Sequence, residues 1–322
     1  MPVQLQLPRI LFLGVLLLAG CGGHVRPTPP PATAPAVIVK LAGAAVFLGV
    51  GDIARCDSRG PELTARLVDS VLRADAAADV EHVVFTLGDN VYTSGTVLQF
   101  ANCFAPTWGD TAKLIMKYIR PSPGNHEYRS AGADPYYKYF GKAAGEPGKG
   151  YYSYDIGEWH AVVINSEITV NPAFTSALRE SQEEWLAKDL KENPRECTVA
   201  YWHHPRFSSG THGSNAALLP IWNILYENNV DLVLAGHDHH YERFLPQTPA
   251  GLLDTARGIV QIVAGTGGAT LRTVALPVER NSAYHVAGRF GILLLTLGAK
   301  EFRSAFIETS GLAWDPAGGK CH

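Results

Sequence analysis

Five short segments hold the side chains best suited to chemistry: Gly51-Asp52, Gly88-Asp89-Asn90-Val91-Tyr92, Gly124-Asn125-His126-Glu127, His203-His204-Pro205 and Gly236-His237-Asp238-His239. Carboxylate, phenol, amide and imidazole are all metal-capable groups, and their recurrence points to bound cations. Singly each segment is weak, since a lone Gly-Asp is more often a turn and a lone histidine more often a satisfied structural residue. Five of compatible ligand type, four of them directly after an apolar run, leave the structural reading improbable.

Those apolar runs are the elements that must do the positioning. Residues 44–50, 82–87, 160–165, 198–202, 231–235 and 259–264 read as buried strands by their length and β-branched content. Residues 291–297 and 302–308 return to strand pattern near the C-terminus. Residues 61–75 open with Pro61 and then show helical spacing. Two more helices are predicted at 175–191, with Leu178, Trp185, Leu186 and Leu190 as one buried stripe, and at 216–228. Strands alternating with helices imply an α/β domain. In open α/β sheets the loops beyond the strands' carboxyl ends converge on one crevice, so the five segments can meet in space. Their glycines permit the tight turns this requires.

Other chemistries fit less well. Gly49-x-Gly51-x-x-Ala54 after a strand matches a dinucleotide fingerprint. That motif needs a helix to open at once on the pyrophosphate, whereas Cys56, Asp57 and Gly60 delay the helix to about Pro61. No G-x-S-x-G elbow of a serine hydrolase is present. A formal net charge of -3 over 322 residues gives no basic surface for a nucleic-acid partner.

The five segments, in this order, resemble the signature of the calcineurin-like metallophosphoesterases, and two features resemble its purple acid phosphatase branch. Tyr92 lies three residues after Asp89, where that branch has an iron-binding tyrosinate, and residues 236–243 (GHDHHYER) match its GH-x-H-x-YER. Many other branches place a histidine two residues after the first aspartate; here Ala54 stands there and cannot coordinate. Ala54 replaces the glycine common in purple phosphatases, and His204 replaces a serine. His203 is taken as the ligand because Pro205 then keeps the spacing.

The resemblance implies a four-layer αββα sandwich of two facing mixed sheets flanked by helices, in the short single-domain form without the β-sandwich of the plant enzymes. It implies two metal ions. Fe(III) would be held by Asp52, Tyr92, His239 and a shared Asp89; Zn, Mn or Fe(II) would be held by Asn125, His203, His237 and Asp89. Hydroxide activated by the ions would attack a small phosphoester, phosphomonoesters first. His126 would protonate the leaving alkoxide and contact substrate, and His212 would contact phosphate. A phosphodiesterase or nucleotidase, or a surface protein that binds metal without turnover, are the alternatives.

The N-terminus carries its own signals. Arg9 and the apolar run at 10–19 read as a signal sequence too short to span a bilayer. Leu18-Ala19-Gly20-Cys21 resembles a bacterial lipobox with Cys21 as the acylated residue. The expected layout is a signal peptide at 1–20, a lipidated Pro-rich tether at 21–40 and a catalytic domain at 41–322, anchored by lipid on the outer side of a bacterial membrane. Four further cysteines suggest two disulfides in an exported chain. Of three possible pairings, Cys56–Cys103 with Cys197–Cys321 is preferred because Cys56 and Cys103 each follow a metal-motif loop closely; the other two stay open.

Overall fold

The computed structural model describes residues 44–74 and 80–322. The signal peptide, Cys21 and the tether lie outside the described residues.

Among the described residues, thirteen strands form two mixed sheets. In the first, β1 (Ala45–Val50), β2 (His82–Leu87) and β3 (Ile119–Ser122) run parallel. Antiparallel strands β11 (Gly291–Leu297), β12 (Glu301–Glu308) and β13 (Ala313–Lys320) continue it on the other side of β1. In the second, β5 (Trp159–Val163), β6 (Cys197–Tyr201), β7 (Leu232–Ala235) and β9 (Val260–Ala264) are the parallel centre. It is edged by β4 (Tyr152–Ile156) on one side and by β8 (Tyr241–Phe244) and β10 (Ser282–Val286) on the other, all antiparallel.

Side-chain alternation along the central strands builds the layers. Val199 and Tyr201 of β6, Ala161 and Val163 of β5, and Leu232 and Leu234 of β7 point into the cluster shared with the first sheet. There Tyr201 meets both Phe47 and Phe85 at 5.8 Å between ring centroids. The intervening Val162, Ala200 and Val233 point the other way, against Leu186 and Leu190 of α2 (Ser176–Glu192) and Ile221, Trp222 and Leu225 of α3 (Leu219–Glu227). Burial on both faces is why these strands read as continuous apolar runs instead of alternating ones. Helix α1 (Gly60–Ala74) packs against β11 on the outside of the first sheet, completing the expected four-layer sandwich.

Three local expectations need correction. The helix predicted at 216–228 is a 3-10 turn at Ala216–Leu218 running into α3. Leu178 does not join the stripe of α2 and is 39% exposed. The buried line is Gln182, Leu186 and Leu190, in which Gln182 exchanges hydrogen bonds with both backbone groups of Asn165. The IRPSP segment before Asn125 contains a true strand, β3, so all five metal-capable segments leave strand ends.

Both preferred disulfides are present, Cys56–Cys103 and Cys197–Cys321. With sequence separations of 47 and 124 residues, loop-closure entropy assigns each roughly 4–5 kcal/mol in the chain-entropy account. The apparent dinucleotide fingerprint is a packing feature. A Cβ on Gly49 would sit 2.0 Å from the Phe85 carbonyl oxygen of the paired strand, and the helix begins only at Gly60.

Candidate metal centre

The loops after β1, β2, β3, β6 and β7 meet at one rim because parallel strands deliver their carboxyl ends to the same edge. Backbone hydrogen bonds tie the first two loops together: Asp52 N–H to Gly88 O at 3.1 Å, Ile53 N–H to Asp89 O at 2.9 Å, and Ala54 N–H to Asn90 O at 3.0 Å. Tyr92 N–H returns to Ala54 O at 2.9 Å, so Ala54 positions the tyrosine through its backbone. Gly88 has φ +76°, and a Cβ there would lie 2.6 Å from the His203 ring, so glycine is required. Asp52, Asp89 and His237 also have positive φ, at 61°, 48° and 67°. Such backbone strain in ordinary residues persists where surrounding contacts over-determine it, characteristically at functional sites.

Two groups of ligand-type atoms result. In the first, Tyr92 Oη lies 2.7 Å from Asp52 Oδ1, 3.0 Å from Asp89 Oδ2 and 3.2 Å from His239 Nε2. In the second, His203 Nε2 lies 3.0 Å from Asn125 Oδ1, 3.1 Å from His237 Nδ1 and 3.4 Å from Asp89 Oδ2. Asp89 belongs to both. The structure thus brings together all seven residues expected from the sequence.

The donors are arranged for a cation. His203 Nδ1 is 2.7 Å from the Leu87 carbonyl oxygen, which places a proton there and leaves the Nε2 lone pair facing two oxygen acceptors. His239 repeats this, with Nδ1 2.6 Å from Thr270 O and Nε2 3.2 Å from Asp52 Oδ1. Lone pairs facing one another at these distances require positive charge between them, from a second proton or from a metal. Among the described residues, neither Asp52 nor Asp89 is ion-paired with lysine or arginine. Burial lowers the His203 pKa, but the Asp89 and Asp52 carboxylates override it and push the group up to about 10. Burial and the same carboxylates raise the Tyr92 phenol well above its ordinary value. A metal cation reverses that electrostatic order and favours the phenolate. Carboxylate and phenolate in the first group suit a hard ion, while imidazole and amide in the second suit a borderline one.

The neighbouring histidines divide by role. His204, next to His203, lies with its Nδ1 2.9 Å from Ser166 Oγ and its ring 4.4 Å from that of His237. His203, not His204, reaches Asn125 and Asp89, while a His204 ligand atom lies within 4.8 Å of those of His203 and His237. His126 stacks obliquely on Tyr92 at 4.3 Å, with Nδ1 2.6 Å from Thr93 O and Nε2 3.7 Å from Asp89. His212 lies with its ring 4.2 Å from that of His237, and both it and His126 line the cleft over the two groups.

Two carboxylates hold these loops: Glu127, which the sequence already suggested as a structural support and not a catalyst, and Asp238, which sequence reasoning missed. Glu127 is fully buried and accepts from Val91 N–H at 3.1 Å and Gly124 N–H at 2.8 Å, clamping the Tyr92 loop to the Asn125 loop. Burial, then the charge of Asp89, raises its pKa to about 8. Asp238 accepts from His212 N–H at 2.9 Å and from the Ser208 hydroxyl, fixing the His212 loop. Their place inside the motifs was a signal, but a buried carboxylate that binds backbone looks the same in sequence as one that binds metal.

A family model of calcineurin-like phosphoesterases matches residues 45–241. The chain belongs to the calcineurin-like phosphoesterase family. Among curated relatives, probable purple acid phosphatase 20 of Arabidopsis thaliana is 28% identical over 169 residues, covering 46% of this chain and 38% of that protein. Acid phosphatase type 7 of Mus musculus is 27% identical over 175 residues, covering 45% and 39%. The chain spans from 35% to 50% of the length of the curated relatives it matches. The solved structure of purple acid phosphatase PPD1 from yellow lupin seeds shares the fold with a TM-score of 0.71 at 20% identity, covering 86% of this chain and 54% of that one.

Proposed function

We propose that the protein is a dinuclear, metal-dependent phosphomonoesterase of the purple acid phosphatase type. The observation that carries this reading is the Tyr92 hydroxyl, held within 3.2 Å of Asp52, Asp89 and His239. Asp52, Tyr92, His239 and Asp89 would hold Fe(III); Asn125, His203, His237 and Asp89 would hold Zn, Mn or Fe(II). When bound, such a pair polarises the phosphoryl oxygens and lowers the pKa of the attacking water. The chain's own residues do the rest. His212 and His126 receive the phosphoryl group at the mouth of the cleft. Thr93 O fixes the His126 ring through Nδ1, leaving Nε2 to deliver a proton to the departing alkoxide.

Metal-loaded full-length protein tests the class. An aryl phosphomonoester should turn over faster than the matching diester. Faster diester cleavage would make it a phosphodiesterase, and full metal occupancy with no turnover of either would make it a metal-binding protein. His126→Ala should retain both metals and lose roughly 10²–10⁴-fold in rate on alkyl phosphates, with a much smaller loss on nitrophenyl phosphate, whose leaving group needs no proton. Metal loss in that variant would make His126 a ligand.

The lipid anchor on Cys21 belongs to the same reading, with the site working outside the cytoplasm. The two disulfides support export, since such bonds persist in oxidising compartments. Cys21→Ser should leave either unprocessed precursor or protein free of membranes. A processed variant that still sediments with membranes would refute the anchor.

A further inference from the structure

The cleft over the metal groups is larger and more cationic than a single phosphate requires. Its volume is about 710 Å³, within the range that encloses a whole organic ligand. Its only carboxylate among the described lining residues is Asp89, on the floor, while Arg55, Arg129 and Arg272 line the walls. Arg55 is already paired: its Nε and Nη2 donate to the two oxygens of Asp57 at 2.6 and 3.0 Å.

The other two arginines are different. Among the described residues, neither Arg129 nor Arg272 is ion-paired with a carboxylate. Arg129 Nη1 donates to Thr93 O at 3.1 Å, and Arg272 Nη1 donates to the Thr211 hydroxyl at 3.3 Å. Each guanidinium is therefore held by a neutral acceptor, which leaves its full charge and its other N–H groups available to an anion in the cleft that it lines. Their anchors place them at the chemistry. Thr93 O is the same carbonyl that orients His126, so Arg129 stands beside the proposed proton donor to the leaving group. The backbone N–H of Arg272 is bonded to His239 O at 3.1 Å, and its hydroxyl partner Thr211 precedes His212.

We infer that Arg129 and Arg272 form an auxiliary anion subsite, and that the preferred substrates are phosphomonoesters whose leaving group carries at least one further phosphate. A guanidinium fork matches phosphate oxygens bidentately, which makes arginine the side chain of choice for this task. Which phosphate is cleaved rests on the hydrolase reading; binding of the second does not.

The test compares fructose 1,6-bisphosphate with fructose 6-phosphate on metal-loaded full-length protein. The bisphosphate should have the higher kcat/KM, chiefly through KM, and its advantage should shrink as salt screens the exposed charges. Arg129→Ala and Arg272→Ala should each cut the ratio of the two kcat/KM values by about tenfold, the scale of one charge-assisted contact. Arg55→Ala should leave that ratio unchanged, and unaltered melting temperatures would exclude misfolding of these exposed-site variants. Equal kcat/KM for the two sugars in the parent protein, or a preference indifferent to both arginines, overturns the subsite. If neither ester is hydrolysed, the aryl ester assay decides the phosphatase reading, and calorimetric binding of the bisphosphate decides the subsite alone. Binding weakened by Arg129→Ala and Arg272→Ala but not by Arg55→Ala upholds it; binding indifferent to all three overturns it.

Discussion

Asp89→Asn is expected to cost at least one equivalent of metal and most of the turnover. The carboxylate is the one group common to the two ligand clusters, with Oδ2 at 3.0 Å from Tyr92 Oη and 3.4 Å from His203 Nε2. Asparagine is isosteric and can still accept the His126 backbone N–H now bound to Oδ1 at 2.8 Å, so the loop has no steric reason to move. What it lacks is the negative charge that offsets two cations. Losing an outer-shell partner typically costs 10–100-fold in metal affinity or activity, and the loss of a shared first ligand should exceed that. Elemental analysis of the variant should return less than one ion of at least one metal per chain, with turnover reduced in step. Full occupancy with near-normal rate would remove the two-metal assignment.

Tyr92→Phe is expected to remove the protein's colour. A phenolate bound to ferric iron absorbs visible light by ligand-to-metal charge transfer, so oxidised, iron-loaded parent protein should be violet to pink. Phenylalanine keeps the ring that packs on His126 at 4.3 Å and deletes only the oxygen within 3.2 Å of Asp52, Asp89 and His239. The variant should be colourless while the cluster around His203 stays intact. An iron-loaded parent without a visible band, or a variant that keeps the band, would sink the purple assignment and leave the general two-metal reading standing.

The candidate site was legible in the sequence because six of its seven candidate ligands, all but Asn125, follow a strand buried along its whole length. Runs such as 198–202 and 231–235 declare their own ends, and the polar residue that follows is conspicuous. Edge strands were harder. β3 is four residues long with Pro121 inside it, and β13 carries Pro316, Gly318 and Gly319. Residues that weaken a central strand are tolerated at an edge, so pattern alone gives them away as loop. β8 was hidden for another reason: Tyr241-Glu242-Arg243-Phe244 was absorbed into the metal motif, though its Arg243 pairs with Asp315 at 2.7 Å. Arg129 and Arg272 had no signal at all, being lone arginines in loops whose meaning depends on which carboxylates fail to reach them.

The position of β1 sets the order in which this protein can become competent. β1 is interior to its sheet, and one of its two partners is β11, in a register that joins Ala45 to Leu297 and Gly49 to Leu293. All seven candidate ligands precede residue 240, yet a nascent chain that has reached only that point leaves β1 with one flank unpaired. The loop bearing Asp52 therefore has no settled platform until almost the last strands of the described chain arrive. Contacts so distant in sequence are closed slowly, because the entropy of joining the ends must be met before any pairing energy returns. On the proposed reading, the first ligand loop would be ready for metal only once the first sheet has closed around β1.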